Sequence, residues 1–441
     1  MIITAFKEKS KKMKPKMNKY FLLILLLFVG ANTENVSPNN DVDVIELTPV
    51  AVSQYNFINY QYNKIQIPGA DSSRIKLFYQ KLDKLLKEKE GQINILHLGG
   101  SHVQADMFSH KVRQNLDAIN YRFQSPRGFI FPFSVAKTNN PTNYKVYYEG
   151  EWNAVRNVQK NREISVGMGG IAVYTSDPNA RIRVALNPSG DSRWNFNRLR
   201  LLGYTEEEGD LVTPVLYYNG TVIESYFDFI SNSYLFELPE LADSFEIGFV
   251  QKDSTPHPFI VTGFLPEKDT PGIVYHAIGV NGASVPSYLN CEFFEDELPL
   301  ISPDLVIFGL GINDAAEASF TEQSFIQNYN SLLRMIEHVN PNCAFLFITN
   351  NDSYKRIRQR KYAVNQNGLI AKDAFYKIAE ENQGAVWDQF SLMGGLQSMS
   401  TWQANSLAQN DKLHFTRAGY ELLGDLLYNA LVDFYLQNDI E

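Results

Sequence analysis

Two rhythms of hydrophobic and polar positions divide this 441-residue chain. Ile75 to Glu90 places apolar residues at 75, 78, 82, 85 and 86, the stripe of a helix facing a core, with Gly91 positioned to end it. Ile93 to Leu98 is a short apolar run that stops at Gly99-Gly100-Ser101, and a second helical stretch runs through Met107–Leu116. The order predicts strand, tight turn, helix. Glycines at the turn let the backbone bend without a Cβ clash, which sets Ser101 at the carboxyl end of a strand and the amino end of a helix.

Beyond Arg127-Gly128 the pattern changes. Short β-rich runs follow one another: Val146–Tyr148, Ile164–Val166, Ile171–Tyr174, Ile182–Leu186, Leu199–Leu202, Val215–Tyr218, Tyr234–Leu238, Phe245–Val250 and Phe259–Thr262. Turn signals such as Asn187-Pro188-Ser189-Gly190 and Asn219-Gly220 separate them. The second also begins a glycosylation sequon with Thr221, but between two β-rich runs it reads as a hairpin turn. Many short strands at this spacing predict an all-β, sandwich-like block.

From Ile273 strand and helix alternate again. Apolar strands at Val274–Ile278, Asp304–Leu310, Ala344–Thr349 and Ala385–Asp388 interleave with helical faces at Phe325–Ile336, Ile370–Glu380 and Gly419–Leu436. This alternation predicts a doubly wound parallel sheet whose active residues sit at the strands' carboxyl ends. The expected fold is α/β, interrupted by the all-β insertion. In this division 1–31 is a signal peptide, 32–44 a linker, 45–133 and 269–441 the α/β domain, and 134–268 the inserted block.

Composition narrows the class. Hydrophobic residues make up 44% of the chain and charged residues 20%, as in a packed globular protein. A net charge of −9 argues against a nucleic-acid partner, the more so because seven lysines fall within residues 1–19. Phe21 to Ala31 is unbroken by a charge but far shorter than the roughly twenty residues that cross a bilayer. With small residues at Val29-Gly30-Ala31 it predicts a secretory signal peptide, and so a periplasmic or secreted chain with no stable membrane insertion after cleavage. An uncleaved amino-terminal anchor is the alternative. Cys291 and Cys343 could pair in an oxidising compartment or remain buried thiols. An aromatic content of 13% suits stacking on sugars as well as β-rich packing.

Four segments fall at strand ends or before the closing helix: Gly99-Gly100-Ser101, Asn281-Gly282-Ala283, Gly311-Ile312-Asn313-Asp314 and Asp411-Lys412-Leu413-His414. In a parallel sheet such positions converge on one crevice. Acyl transfer needs a nucleophile, a base, a group to orient the base and donors for the oxyanion. Ser101 offers the hydroxyl, His414 the imidazole and Asp411 the carboxylate one turn away. The Ser101 and Gly282 backbone N–H groups and the Asn313 amide offer three donors. Each also has a plainer reading as cap, turn or loop residue. Among the other histidines, His102 adjoins Ser101 and points away from it, and His97 lies within a strand. His110, His257, His276 and His338 show no acidic partner at useful spacing. No metal-ligand spacing and no phosphate loop occurs, so no cofactor is expected.

These four segments resemble blocks I, II, III and V of the SGNH (GDSL-type) esterase superfamily, most closely in G-I-N-D and D-K-L-H-F-T-R-A-G-Y. The resemblance covers about 93–125 and 273–436. It implies Ser101 as nucleophile, His414 as base, Asp411 as its orienter, and Gly282 and Asn313 as oxyanion donors. S-H-V-Q-A-D and the long insertion after block I are similar to the peptidoglycan O-acetylesterases of that superfamily. The expected function is therefore a secreted serine esterase that removes O-acetyl groups from a polysaccharide, peptidoglycan or another surface glycan. An O-acetyltransferase with the same triad and a glycan-binding protein with a degenerate site are the alternatives. Gly100 stands where the family usually has aspartate, and by its freedom is expected to loosen the turn, so that Gly100→Asp would raise kcat on small esters provided the surroundings accept a carboxylate, and would destabilise the protein otherwise.

Overall fold

The computed structural model describes residues 47–438 except 121, 191–193, 207, 208, 210, 359 and 360, so the expected signal peptide and linker lie outside the described residues. One six-stranded sheet consists of β1 (Ile65–Gln66), β2 (Gln92–Gly99), β3 (Gly272–Gly279), β4 (Leu305–Gly309), β5 (Ala344–Ile348) and β6 (Ala385–Trp387). The spatial order is β1-β6-β5-β4-β2-β3, and every pair is parallel except the short edge pair of β1 with β6. Because β3 lies on one side of β2 and β5 on the far side of β4, the connections that leave the neighbouring strands β2 and β4 run in opposite directions. That reversal opens a crevice at the carboxyl ends of β2 and β4.

The strands are apolar because both faces are covered. On β2, Ile93 and Ile95 join the core formed with α1 (Ser73–Glu88), α3 (Phe108–Asp117) and α8 (Arg417–Gln437), through Phe78, Val112 and Leu427. Leu96 and Leu98 join the opposite core with α6 (Glu322–Val339) and α7 (Asn367–Glu381), through Leu333 and Phe375. Helix α1 buries Ile75, Phe78, Leu82, Leu85 and Leu86, the stripe read from its spacing. Its terminating left-handed residue is Lys89, not Gly91; the Lys89 N–H bonds to Leu85 O.

Between α3 and β3 the chain forms two antiparallel sheets. One runs in the order Tyr226–Asp228, Ser233–Ala242, Phe196–Tyr204, Phe259–Glu267, Ile171–Thr175, Asn153–Arg156; the other Tyr144–Glu149, Arg181–Leu186, Ser244–Gln251, Val212–Tyr218, Thr221–Glu224. Their facing rings meet, with Phe249 and Phe259 centroids 4.9 Å apart. Asn219 (φ 47°) and Gly220 (φ 79°) make the two-residue turn of a hairpin whose Tyr218 pairs with Thr221. Ile164–Val166, expected as a strand, is not one. Its backbone bonds go to the segment before β4 instead, where the Val166 N–H donates to Glu292 and its carbonyl accepts from Phe293 N–H.

Buried charges secure the start of this block. Asp106 accepts from Arg113 and Arg127 while Arg127 also donates to Phe129 O and Asn143. Two further buried carboxyls bridge the block to the helices: Asp117 accepts from the Trp194 indole, and Glu297 from Met168 N–H and the Thr262 hydroxyl. Burial pushes each up to about 7. A carboxyl raised in the folded state binds a proton that the unfolded chain has already lost. Stability is therefore fully present below the unfolded values of 3.8 and 4.5 and declines as pH rises to about 7, by about 1.4 kcal/mol per pH unit for each group. The melting temperature should fall between pH 5 and 7, and Glu297→Gln, which mimics the protonated form, should flatten the slope. An equal slope in wild type and variant would exclude Glu297 as a source.

Candidate active site

Ser101 is the first residue of the short helix α2 (Ser101–Gln104), directly beyond β2. Neither Gly99 nor Gly100 has a left-handed φ; what they supply is space. A Cβ on Gly99 would lie 2.2 Å from Val103 Cγ2, and one on Gly100 would lie 3.2 Å from Asn313 Nδ2 and 3.4 Å from Ala283 O. Gly100 is thus closely faced by the Asn313 amide, which would have to give by a few tenths of an ångström to admit a side chain, so the effect of Gly100→Asp turns on that amide.

The loop before α8 carries the partners of Ser101. Ser101 Oγ is 2.9 Å from His414 Nε2, and His414 Nδ1 is 2.8 Å from Asp411 Oδ2. The other Asp411 oxygen accepts from the backbone N–H groups of Leu413 and His414, each at 3.0 Å. Burial raises the Asp411 carboxyl, but the His414 side-chain bond and these two backbone donors outweigh it and hold the group at about 2. Asp411 therefore stays ionised across the neutral range and can fix the orientation of the imidazole. Such a relay can take the proton of the serine hydroxyl.

Gly282 lies in the turn after β3, and Asn313 in the short helix after β4. Gly282 has φ 84°, and its missing Cβ would meet nothing nearer than Val158 Cγ1 at 4.0 Å, so glycine is required here by conformation and not by crowding. Asn313, in α5 (Ile312–Ala316), donates from Nδ2 to Ala283 O at 2.8 Å. That bond uses one of its two N–H groups and orients the other. Sequence reasoning missed two residues of this region. Asp314 accepts from Val285 N–H at 3.1 Å and is pushed by burial up to about 7. Gln104 accepts from Asn281 N–H at 2.7 Å. The G-I-N-D and S-H-V-Q-A-D motifs contain both, yet their partners are distant in sequence.

The remaining histidines sort clearly. His102 shares a 2.7 Å hydrogen bond with the Tyr420 hydroxyl, and burial, reinforced by His414, brings it down to about 3. His97 bonds the Tyr275 hydroxyl, and burial also brings it down to about 3. Three expectations need correction: His257 faces Asp253 at 3.2 Å, four residues earlier, His338 faces Glu295 at 3.1 Å across the fold, and His110 lies close enough to Asp106, also four residues earlier, to help hold that carboxyl down. Cys291 and Cys343 are free and buried. Among the described residues no group of three or more His, Cys, Asp or Glu could hold a metal ion.

Residues 253–422 match the GDSL-like lipase/acylhydrolase family, a span that includes Gly282, Asn313, Asp411 and His414 and begins after Ser101. The solved structure of a peptidoglycan O-acetylesterase superposes with a TM-score of 0.68 at 20% identity, covering 85% of this chain and 99% of that one. Residues 253–422 thus carry the GDSL-like lipase/acylhydrolase pattern, and the superposition shows the same fold over most of the chain. Two other solved structures match this chain over a smaller part. A lipase/acylhydrolase from Enterococcus faecalis shows 21% identity, covering 37% of this chain and 77% of its own, with a TM-score of 0.29. An acetyl xylan esterase shows 18% identity, covering 36% and 80%, with a TM-score of 0.28. No curated protein sequence matches the chain.

Proposed function

We propose that this chain is an SGNH/GDSL-type serine esterase that removes O-acetyl groups from a polysaccharide, peptidoglycan or another surface glycan. The observation that carries the reading is the continuous relay from Ser101 Oγ through His414 to an ionised Asp411. Ser101 Oγ attacks the acetyl carbonyl while its proton passes to His414 Nε2. The carbonyl oxygen takes the charge and is met by the Gly282 and Ser101 N–H groups and the Asn313 amide. The C–O bond to the sugar breaks, and His414 returns the proton to the departing oxygen. Water then repeats the sequence on the acyl-enzyme, releasing acetate and restoring Ser101.

The choice of substrate draws on the likeness to a peptidoglycan O-acetylesterase over most of the chain. The basic start and apolar run at Phe21–Ala31 favour a periplasmic or secreted location, and no helix among the described residues is long and apolar enough to cross a membrane. We read the antiparallel block, about 134–268, as an inserted module bordering the crevice, with Val158 beside Gly282. The test is acetate release from O-acetylated peptidoglycan, from another O-acetylated glycan and from an aryl acetate. Release from an acetylated glycan is expected. Hydrolysis of the aryl acetate with no release from any glycan, or transfer of the acetyl group to an added oligosaccharide in place of water, would overturn it.

A further inference from the structure

We propose that Gln104 is a positioning residue that aims the Gly282 N–H at the developing oxyanion. The proposal rests on the reading of Gly282 as a donor in the Ser101 esterase.

Gln104 is only 2% exposed, unusual for a glutamine, and its amide is fully engaged. Oε1 accepts from Asn281 N–H at 2.7 Å, while Nε2 faces Thr138 Oγ1 at 3.1 Å, Asn139 O at 3.1 Å and Asn139 Oδ1 at 3.0 Å. The Asn281 side chain reaches the same pair, donating to Asn139 Oδ1 at 2.6 Å and to Thr138 Oγ1 at 3.2 Å. Asn281 is therefore held by its backbone and by its side chain. On the far side of Gly282, Ala283 O accepts from Asn313 and Val285 N–H donates to Asp314.

The peptide between Asn281 and Gly282 carries the Gly282 N–H. With Asn281 fixed before it and Ala283 after it, its direction is set by ψ of residue 281 and by the left-handed φ of Gly282. Glycine alone would leave that direction loose. Gln104 and Ser101 are the two ends of one four-residue helix, so the nucleophile and the grip on the donor loop move together. Gly279 permits this closeness, since a Cβ there would fall 2.4 Å from Gln104 N. Thr138 and Asn139 precede the first strand of the antiparallel block, so that block leans on the same amide.

Gln104→Met keeps the bulk but deletes both the acceptor and the Nε2 donors; Gln104→Glu keeps the acceptor but turns an oxygen toward the Asn139 oxygens; Asn139→Ala removes one side-chain anchor shared by Gln104 and Asn281 while leaving the Gln104 bond to Asn281 N–H. The full chain is assayed on an aryl acetate, with kcat normalised to Ser101 sites labelled to completion by a phosphonate. Binding of phenylboronic acid, which forms a tetrahedral adduct, is measured alongside. Gln104→Met should lose about 10–100-fold in kcat per labelled site, as expected when a reacting group is displaced by a fraction of an ångström to an ångström. KM should stay within about twofold and boronate affinity should fall in parallel with kcat. Gln104→Glu should recover most of the loss relative to wild type only toward acid pH, where its protonated carboxyl regains a donor for Asn139, and Asn139→Ala should show a smaller drop with the same split. A Gln104→Met enzyme within twofold of wild type per labelled site, or one whose kcat falls while boronate affinity holds, overturns the proposal. So does a Gln104→Glu variant that folds and is as impaired as Gln104→Met, relative to wild type, at every pH from about 5 to 8. Loss of labelling, or an active Ser101→Ala protein, would instead mean that the esterase reading itself is wrong.

Discussion

Ser101→Ala is expected to abolish ester hydrolysis, with kcat down about 10⁶-fold, in a protein that melts at the wild-type temperature. The hydroxyl makes one contact of consequence, to His414 Nε2, and the His414 side chain remains 29% exposed to solvent. Water can replace the lost partner, so no buried polar group is stranded and folding has little to lose. His414→Ala should match the loss, and the double variant should be no worse than either single one, because the two groups act as one device. Asp411→Ala should be milder, about 10⁴-fold, since the imidazole survives without its orienter. It should also lower the melting temperature slightly, because the carboxylate holds two backbone N–H groups of its own loop. Steady-state kinetics on an aryl acetate, with thermal melts of each variant, make the comparison. More than about 1% of wild-type kcat in Ser101→Ala would sink the mechanism.

Local patterns carried much of the architecture. The strands of the parallel sheet are apolar on both faces, and β2, β3 and β4 end at glycines, so β2 to β6 stand out as runs, as do the stripes of α1 and α6. Asn219-Gly220 was legible because a two-residue turn with both φ values positive accepts few other pairs. Short edge strands were not legible. Asn153–Arg156, Thr221–Glu224 and Tyr226–Asp228 are partly exposed and carry no sustained alternation, so pairing alone defines them. The hairpin of Tyr354–Arg358 with Lys361–Val364 was missed because its basic composition reads as a solvated loop.

The candidate site shows the same division. Motif residues named themselves by type and order, but what holds them did not. Gln104 meets Asn281 across 177 positions, and Asp314 meets Val285 across 29. Neither separation leaves a periodic trace. The glycine before Ser101 was read as a source of freedom because sequence shows only the absent side chain. The fold shows the neighbours, Asn313 and Ala283, that occupy its place.

Those neighbours set the second large expectation. Asn313→Ala should lower kcat by about 10²–10³, the usual cost of one oxyanion donor, with KM nearly unchanged because the acetyl carbonyl carries little charge before attack. The variant also releases Ala283 O from its 2.8 Å bond, at a stability cost of about 1 kcal/mol. Asn313→Asp separates the two effects by sign. A carboxylate is nearly isosteric, yet it turns a donor into an acceptor facing both Ala283 O and the developing oxyanion. It should therefore be slower than Asn313→Ala, and the gap should narrow at acid pH as the carboxyl takes a proton and regains an O–H donor. Measuring kcat for wild type and both variants from pH 5 to 8 decides the matter. Equal rates for the alanine and aspartate variants at pH 8, or a change in KM with kcat intact, would place Asn313 outside the oxyanion site.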